Sequence, residues 1–312
     1  MQYPASPVAG GHRVVITGAG IVTALGIGWS SNAAGFRAGR TAFRPVSLFD
    51  TSRQRVRVAG EVDLPAAIPT GHLPAREATR LDRASRLLLL AADEAWRQSG
   101  WNTSSPLPVV LGTTSGGMAQ GEAFYRQASL DPPHRCGQAV RVSQYMAHRQ
   151  GLNLLSALDC EGPITIIANA CASGANAIGH AFELVHHGAA ERVLAGGYDA
   201  LSHLVFAGFD SLQALSPTRC RPFDQRRDGL ALGEGAAVLA LESLDHARHR
   251  DAVILGEVAG YGRGTDLHHL TQPNPEGRTA LATMRAACAC ARLPPERIGY
   301  LNAHGTGTPL ND

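Results

Sequence analysis

An apolar segment that runs into a helical pattern is the feature of this sequence that most constrains its fold. Residues 164–168, Ile-Thr-Ile-Ile-Ala, have the β-branched, apolar composition of a buried strand. Cys171 follows in a short turn. Apolar residues then recur at the spacing of one buried helix face: Ala175, Ile178, Phe182 and Val185. Gly188 stands where such a helix would end. A strand joined to a helix by so short a turn predicts an α/β fold.

The same alternation of strand and helix patterns extends over most of the chain. Strands are predicted over residues 13–21, 108–113, 164–168, 192–197, 236–242, 253–262 and 298–303. Besides the helix after Cys171, helices are predicted over residues 29–38, 81–99, 143–155 and 277–292. Residues 39–74 are rich in turn formers and are predicted to be irregular. This alternation predicts a largely parallel sheet with helices on its faces.

A faint internal repeat predicts two similar halves. Residues 14–20, Val-Val-Ile-Thr-Gly-Ala-Gly, are echoed by residues 254–260, Ile-Leu-Gly-Glu-Val-Ala-Gly. We therefore assign residues 1–250 to an N-terminal half, which carries Cys171, and residues 251–312 to the start of a C-terminal half. The second half holds only a strand, a helix and a strand, so we expect it to be truncated and to expose strand edges.

The charge balance and the missing residue types exclude several functions. The net charge is only +2, whereas nucleic-acid binders usually carry a concentrated basic face. All 28 basic residues are arginine, and the absence of lysine excludes Schiff-base catalysis and a Walker-type phosphate site. No apolar run approaches a membrane span, and no signal-peptide pattern is present. Six cysteines without CxxC spacing indicate a reducing compartment, so we expect a cytoplasmic protein.

Two motifs suggest ligand sites but lack a necessary part. Gly18 and Gly20 follow a strand as in a dinucleotide-binding fold, but Thr23 stands in the place of the third glycine and no acidic ribose partner follows. His246 and His249 have a spacing that could hold a metal ion, but no acidic or cysteine ligand completes the set. We therefore predict neither a nucleotide site nor a metal site.

Cys171 and His304 are the predicted catalytic pair. At a helix start, Cys171 faces unpaired N–H groups and the positive end of the dipole, which favour the thiolate that attacks carbonyls. His304 follows the predicted strand 298–303, where it can donate a hydrogen bond to an oxyanion or enolate. The hydroxyls of Thr306 and Thr308 can hold polar parts of a ligand. The alternatives are a cysteine that only packs and a loop histidine exposed to water.

These two motifs and several others resemble one family. Residues 169–174 read Asn-Ala-Cys-Ala-Ser-Gly, and residues 302–309 read Asn-Ala-His-Gly-Thr-Gly-Thr-Pro. Further matches run in the same order, at residues 14–20, 112–117, 195–197, 221–224, 227–229 and 233–235. With these motifs the chain, from Arg13 onward, resembles the β-ketoacyl-acyl-carrier-protein synthases of the thiolase-like superfamily, closest to the elongating ketosynthase I/II branch.

The resemblance implies a thiolase-like fold of two duplicated βαβαβαββ halves, the second incomplete here, and a homodimer. It implies that Cys171 takes an acyl group from acyl-carrier protein as a thioester. His304 would help to decarboxylate malonyl-carrier protein and stabilise the enolate that attacks this thioester. Thr306 and Thr308 match positions that bind the phosphopantetheine arm. The implied reaction is a decarboxylative Claisen condensation in fatty-acid or polyketide synthesis. It needs no metal or separate cofactor, because the substrates are carried on phosphopantetheine.

Three positions bear on substrate choice. Ser115 matches the gate of the acyl pocket and is smaller than the isoleucine of some family members, and Leu230 stands where phenylalanine is common. Thr271 lies in a loop with His268 and His269 that could border the site, and we predict that it binds substrate. These positions leave the acyl chain length, the pathway and the carrier protein open.

The resemblance also implies parts that the sequence does not contain. The family has a second histidine, a lysine and a glycine-rich loop at positions beyond Asp312. We therefore expect that the 312 residues alone do not catalyse condensation. The alternative function is an inactive ketosynthase fragment that acts only as a folding or dimerisation partner.

Overall fold

The computed structural model describes residues 11–103, 106–130, 138–269, 272–309 and 311–312 of the chain. Within these residues the strands are β1 (Val14–Thr23), β2 (Gly26–Ile27), β3 (Arg44–Pro45), β4 (Val58–Ala59), β5 (Val109–Gly112), β6 (Ile164–Ile167), β7 (Arg192–Asp199), β8 (Gly235–Ser243) and β9 (Gly256–Val258). The helices are α1 (Gly28–Arg37), α2 (Ala75–Ala78), α3 (Arg83–Ser99), α4 (Met118–Leu130), α5 (Ala139–Tyr145), α6 (His148–Ala157), α7 (Ser173–His186), α8 (His203–Ser211), α9 (Leu244–His249) and α10 (Arg278–Ala291).

The main sheet is mixed, so the prediction of a largely parallel sheet is wrong. Its strand order is β2-β1-β8-β7-β5-β6, and β9 also pairs with β1. β5 is parallel to β6 and β7, whereas β8 is antiparallel to both β7 and β1. The chain between β7 and β8 stays at one end of the sheet, since Asp199 at the end of β7 pairs with Gly235 at the start of β8. A strand that re-enters the sheet at that end must run antiparallel.

Helices cover both faces of this sheet, as the sequence predicts. α3 begins after Asp82, whose side chain accepts a hydrogen bond from the N–H of Ser85 at 3.0 Å. It ends at Gly100, which has a left-handed φ of 65°. Successive residues of β5 point to opposite faces, so Leu111 joins the core beneath α3 and α6, while Val110 joins the core beneath α7. The sheet is thus a central layer between two apolar cores.

Several predicted elements differ from those in the structure. The helix predicted over residues 143–155 is two helices, α5 and α6, because Met146 has an extended backbone between them. The strand predicted over residues 253–262 is shortened to β9, and the described residues 298–303 form no strand. A strand needs a neighbour that accepts and donates its backbone hydrogen bonds, and the exposed side chains of Tyr300 and Leu301 show that this segment is uncovered.

The start of α7 lies in direct backbone contact with the ends of two strands. A Cβ atom added to Gly112 at the end of β5 would lie 2.3 Å from the carbonyl of Ser173 and 2.5 Å from the nitrogen of Gly174. A Cβ atom on Gly197 of β7 would lie 3.2 Å from Gly112 O and from the Cα atom of Gly174. Only glycine permits this approach. The contact fixes the position of the residues that precede α7, including Cys171.

A buried carboxylate, Glu242, anchors the C-terminal end of β8 to neighbouring segments. The Glu242 side chain is fully buried, and four side chains hydrogen-bond to it: Thr17, Trp101, His246 and Arg250. Burial alone would raise the pKa of Glu242, but these hydrogen bonds outweigh burial and lower the pKa to about 2. The ionised carboxylate therefore stabilises the fold at neutral pH.

We expect Gly112→Ala to destabilise the protein by about 1–3 kcal/mol, because the new methyl group collides with backbone atoms that cannot rotate away. The matched control is Gly208→Ala on α8, where an added Cβ atom has nothing within 4 Å. That control should be neutral or stabilising by up to about 1 kcal/mol, since alanine favours helix over glycine. Thermal unfolding followed by circular dichroism measures both. Equal melting temperatures for the two variants would contradict the close contact.

We expect Glu242→Gln to lower the free energy of unfolding at pH 7 by on the order of 3 kcal/mol. The folded pKa lies below the ordinary value of 4.5, so the contribution is lost as the pH falls from 4.5 to about 2. The difference between wild type and variant should therefore narrow at pH 3. Urea unfolding at both pH values tests this, with Glu257→Gln, which breaks an exposed pair with Arg13, as the control. A difference independent of pH would contradict the assignment.

Candidate active site

Cys171 lies on a strained turn between β6 and α7. The turn Ala170–Ala172 is a single 3₁₀ turn, so Cys171 precedes the first residue of α7 rather than lying inside the helix. Ala170 has φ 57°, a left-handed conformation that costs a residue with a side chain about 1 kcal/mol or more. The Ser173 hydroxyl donates to the Ala170 carbonyl at 2.6 Å and accepts from the N–H of Asn169 at 2.9 Å. These contacts close the turn and leave the thiol exposed.

The thiol opens into a shallow cavity of about 370 Å³ at the ends of four strands. Its walls come from the ends of β1, β5, β7 and β8 and from the Cys171 turn. The lining residues are Ile21, Val22, Thr23, Gly112, Thr114, Ala170, Cys171, Ser173, Gly174, Gly197, Tyr198, Asp199, Gly235, Ala236 and Ala237. A larger cavity of about 790 Å³ lies elsewhere, beside Arg83 and His203, but no cysteine lines it. What distinguishes the smaller cavity is a thiol on a strained strand-to-helix turn at the ends of the strands.

Asp199 organises part of the wall of the Cys171 cavity. Its carboxylate accepts hydrogen bonds from the Thr113 hydroxyl at 2.8 Å, from the Thr114 N–H at 2.9 Å and from the Ser115 N–H at 2.6 Å. The Thr114 hydroxyl in turn donates to the carbonyl of Ala170 at 3.1 Å. No motif in the sequence singles out Asp199. The signal that could have found it is an acidic residue directly at the end of a buried strand, among small residues.

The His304 loop, residues 304–309, is attached to a different part of the structure. Its backbone accepts hydrogen bonds from the N–H of Gly229 at 3.0 Å and from Nε of Arg227 at 3.2 Å. The Thr306 and Thr308 hydroxyls lie 2.9 Å apart and can share one hydrogen bond or present both oxygens to a ligand. His304 is exposed and is not among the residues that line the Cys171 cavity. The cavity into which Cys171 opens is therefore lined without the second predicted catalytic residue.

Ser115 and Thr271 are the other two predicted substrate-binding positions. Ser115 is half-buried in the turn held by Asp199, but Thr114, its neighbour, is the residue that forms the cavity wall. Thr271 lies outside the described residues. Close to it, Asp266 accepts hydrogen bonds from the backbone N–H groups of His268 at 3.0 Å and Asn274 at 2.8 Å, which folds the ends of that loop together. Of the predicted site residues that the structure describes, only Cys171 lines the cavity.

Three further features of the described residues concern their cysteines, their possible metal ligands and the length of their helices. The five cysteines among them, Cys160, Cys171, Cys220, Cys288 and Cys290, are free thiols. Cys136 lies outside the described residues. No three histidine, cysteine or acidic side chains in this part of the chain are grouped closely enough to hold a metal ion. None of the helices that the structure describes is both long and apolar enough to cross a membrane.

Known protein families match the chain over almost its whole length. The family model for the beta-ketoacyl synthase N-terminal domain matches residues 11–247, and the model for the C-terminal domain matches residues 255–312. The chain is 37% identical to the 3-oxoacyl-[acyl-carrier-protein] synthase 2 of Synechocystis sp., over 96% of this chain and 74% of that protein.

Two solved structures are similar over nearly all of the chain. The ishigamide ketosynthase/chain length factor has a TM-score of 0.89 and 33% identity, over 97% of this chain and 75% of that one. A beta-ketoacyl synthase from Burkholderia phymatum STM815 has a TM-score of 0.86 and 34% identity, over 96% of this chain and 76% of that one. The thiolase-like α/β fold that the resemblance implies is thereby confirmed. The chain spans about three quarters of the length of these relatives and belongs to the β-ketoacyl synthase family.

Proposed function

We propose that this chain belongs to an enzyme that catalyses the decarboxylative condensation of an acyl thioester with malonyl-carrier protein, with Cys171 as the acyl acceptor. The observation that carries the proposal is the exposed thiol on a strained strand-to-helix turn, inside a cavity at the ends of the strands. Membership of the β-ketoacyl synthase family supports the reaction class. The pathway is fatty-acid or polyketide synthesis.

The first step is acyl transfer to the protein. The Cys171 thiolate attacks the carbonyl carbon of an acyl thioester on the carrier, and the carrier's phosphopantetheine thiolate leaves and takes up a proton. The backbone N–H groups at the start of α7 face the turn and supply positive potential to the thiolate and to the oxyanion of the tetrahedral intermediate. The open cavity admits the acyl chain from the side of the strand ends.

The second step forms the carbon–carbon bond. The malonyl group loses its carboxylate as carbon dioxide, and the resulting enolate carbon attacks the thioester carbonyl and expels the Cys171 thiolate. We assign to His304 the hydrogen bond that stabilises the enolate oxygen. Thr306 and Thr308 are proposed to bind the phosphopantetheine arm, and Thr271 is proposed to bind substrate. Ser115, at the turn beside the cavity, is proposed to influence the acyl chain length.

The proposed partners follow from the substrates. An acyl-carrier protein delivers both thioesters, and its phosphopantetheine replaces a separate cofactor. We further propose a homodimer, in which each protomer carries an N-terminal half over residues 1–250 and a second segment over residues 251–312. A cytoplasmic location fits the five free thiols among the described cysteines.

Cys171 should be the residue that becomes acylated. Incubation with an acyl-carrier substrate, followed by peptide mass spectrometry, should place a thioester on Cys171, and Cys171→Ala should abolish uptake. Cys160 is the matched comparison, because burial raises the pKa of its thiol and it has little access to a substrate. Acylation of Cys160 or Cys220, with Cys171 unmodified, would refute the assignment.

His304→Ala should separate the two steps. In a family-length form of the protein, we expect condensation to fall by about 10²- to 10³-fold, the effect of removing one donor to an oxyanion, while acylation of Cys171 continues. His249→Ala on α9 is a matched control, because His249 is also exposed but lies outside the proposed site. The two rates are measured by thioester mass spectrometry and by formation of β-ketoacyl product. Loss of acylation in a folded His304 variant would show a different role.

A second candidate function is a ketosynthase-like chain that only pairs with another chain. The observation in its favour is the exposed position of His304, outside the Cys171 cavity. The acylation experiment decides between the two, since a chain that only pairs would take up no acyl group at Cys171. Gel filtration with a thiol-labelling assay identifies such a chain by its oligomer and by an unacylated thiol.

A further inference from the structure

We propose that Asp199 is a positioning residue for Cys171, acting through the turn at residues 113–115 and the carbonyl of Ala170. This inference rests on the proposed function of Cys171 as the acyl acceptor. It adds a residue that lies on another strand and that holds the strained turn in the conformation needed for acyl transfer.

The Asp199 carboxylate is the common acceptor of one turn. Asp199 is the last residue of β7, and its side chain is half-buried in the Cys171 cavity. Within the described residues, every donor to this carboxylate belongs to residues 113–115: the Thr113 hydroxyl, the Thr114 N–H and the Ser115 N–H. Hydrogen bonds to an ionised carboxylate are stronger than neutral ones, so they fix this turn to the end of β7.

The turn then holds the residue next to the nucleophile. The Thr114 hydroxyl donates to the carbonyl oxygen of Ala170 at 3.1 Å, and Ser173 donates to the same oxygen at 2.6 Å. Ala170 is the residue with the left-handed φ of 57°. A strained conformation persists only where its surroundings hold it in place. Asp199, Thr114 and Ala170 thus form a continuous chain of contacts from β7 to the residue before Cys171.

The alternative is that Asp199 acts through its charge alone. A carboxylate in the same cavity disfavours a second negative charge, so its removal would favour the Cys171 thiolate and speed every thiolate reaction. Positioning has a different consequence. Acyl transfer requires the thiolate to approach the carbonyl carbon from a defined direction, whereas a small alkylating reagent in free solution accepts many directions. The two readings therefore predict opposite results for the same variant.

The experiment compares two reactions of the purified full chain. One is acylation of Cys171 by an acyl-carrier substrate, and the other is alkylation of Cys171 by iodoacetamide, both followed by mass spectrometry. We expect Asp199→Asn and Thr114→Val to slow acylation by about 10- to 100-fold, as for a nucleophile displaced by about 1 Å. Thr114→Val leaves the carboxylate in place and breaks only the contact with Ala170. Thr114→Ser keeps the hydroxyl and should restore most of the rate.

Glu61→Gln is the matched control. The Glu61 carboxylate accepts hydrogen bonds from the N–H groups of Ser47 at 2.7 Å and Leu48 at 3.1 Å and from the Ser47 hydroxyl at 2.8 Å, so it holds a turn as Asp199 does. None of these residues lines the Cys171 cavity. In the Glu61→Gln variant, Cys171 should be acylated at the wild-type rate. Melting temperatures of all variants show whether each protein is folded.

The outcomes separate this inference from the proposed function. A wild-type chain that takes up no acyl group at Cys171 overturns the proposed function. A wild-type chain that is acylated, with Asp199→Asn and Thr114→Val acylated at the same rate, overturns only the role of Asp199. Faster alkylation of Asp199→Asn, with acylation accelerated to the same extent, would assign the effect to charge. Slow acylation in both variants, with alkylation unchanged and Thr114→Ser restored, supports positioning.

Discussion

The contact between the start of α7 and the ends of β5 and β7 is the constraint on which the rest of the site depends. It is a contact of backbone against backbone, since Gly112, Gly174 and Gly197 leave no side chain between the helix and the strands. A helix seated so closely cannot slide or tilt without a collision. The residues just before the helix must therefore turn sharply to connect β6 to α7, and Ala170 takes the left-handed conformation that this turn requires. The exposure of Cys171 follows from that geometry.

Buried carboxylates accept hydrogen bonds at the strand ends, where the sheet leaves polar groups without a partner. Glu234, just before β8, accepts hydrogen bonds from the N–H groups of Val62 at 2.8 Å and Leu201 at 3.1 Å and pairs with Arg83. Glu242 holds the other end of the same strand, and Asp199 holds the turn after β5. Each carboxylate lies at a strand end and binds donors from a segment distant in sequence. Strand ends carry unpaired polar groups, so acidic residues placed there join loops to the sheet and also give those loops a fixed shape.

The sequence predicts the local parts of this structure better than the long-range ones. The strand, turn and helix around Cys171 are predictable because apolar periodicity and glycine placement act over a few residues, and α3 is predictable from its apolar stripe between Asp82 and Gly100. The direction of β8 is not, because it depends on where a 35-residue connection, residues 200–234, leads the chain. The strand expected over residues 298–303 fails for the same reason, since its formation depends on a neighbour that local sequence does not specify. Asp199 is missed because its partners are about 85 residues away.

The two steps of the proposed reaction draw on parts of the chain that are built differently. The acyl-acceptor site is formed by the ends of β1, β5, β7 and β8 and by the turn before α7, all of which belong to one sheet and its two cores. The His304 loop is held instead by backbone hydrogen bonds to Gly229 and Arg227, and the segment before it is exposed. A nucleophile needs a rigid, strained turn, and the sheet supplies one. A group that stabilises a transient enolate must meet the nucleophile across a closed cavity, so its position depends on packing around residues 298–309 rather than on the sheet. The proposed acyl-acceptor site therefore lies within the folded core, while the position of His304 depends on the packing of residues 298–309.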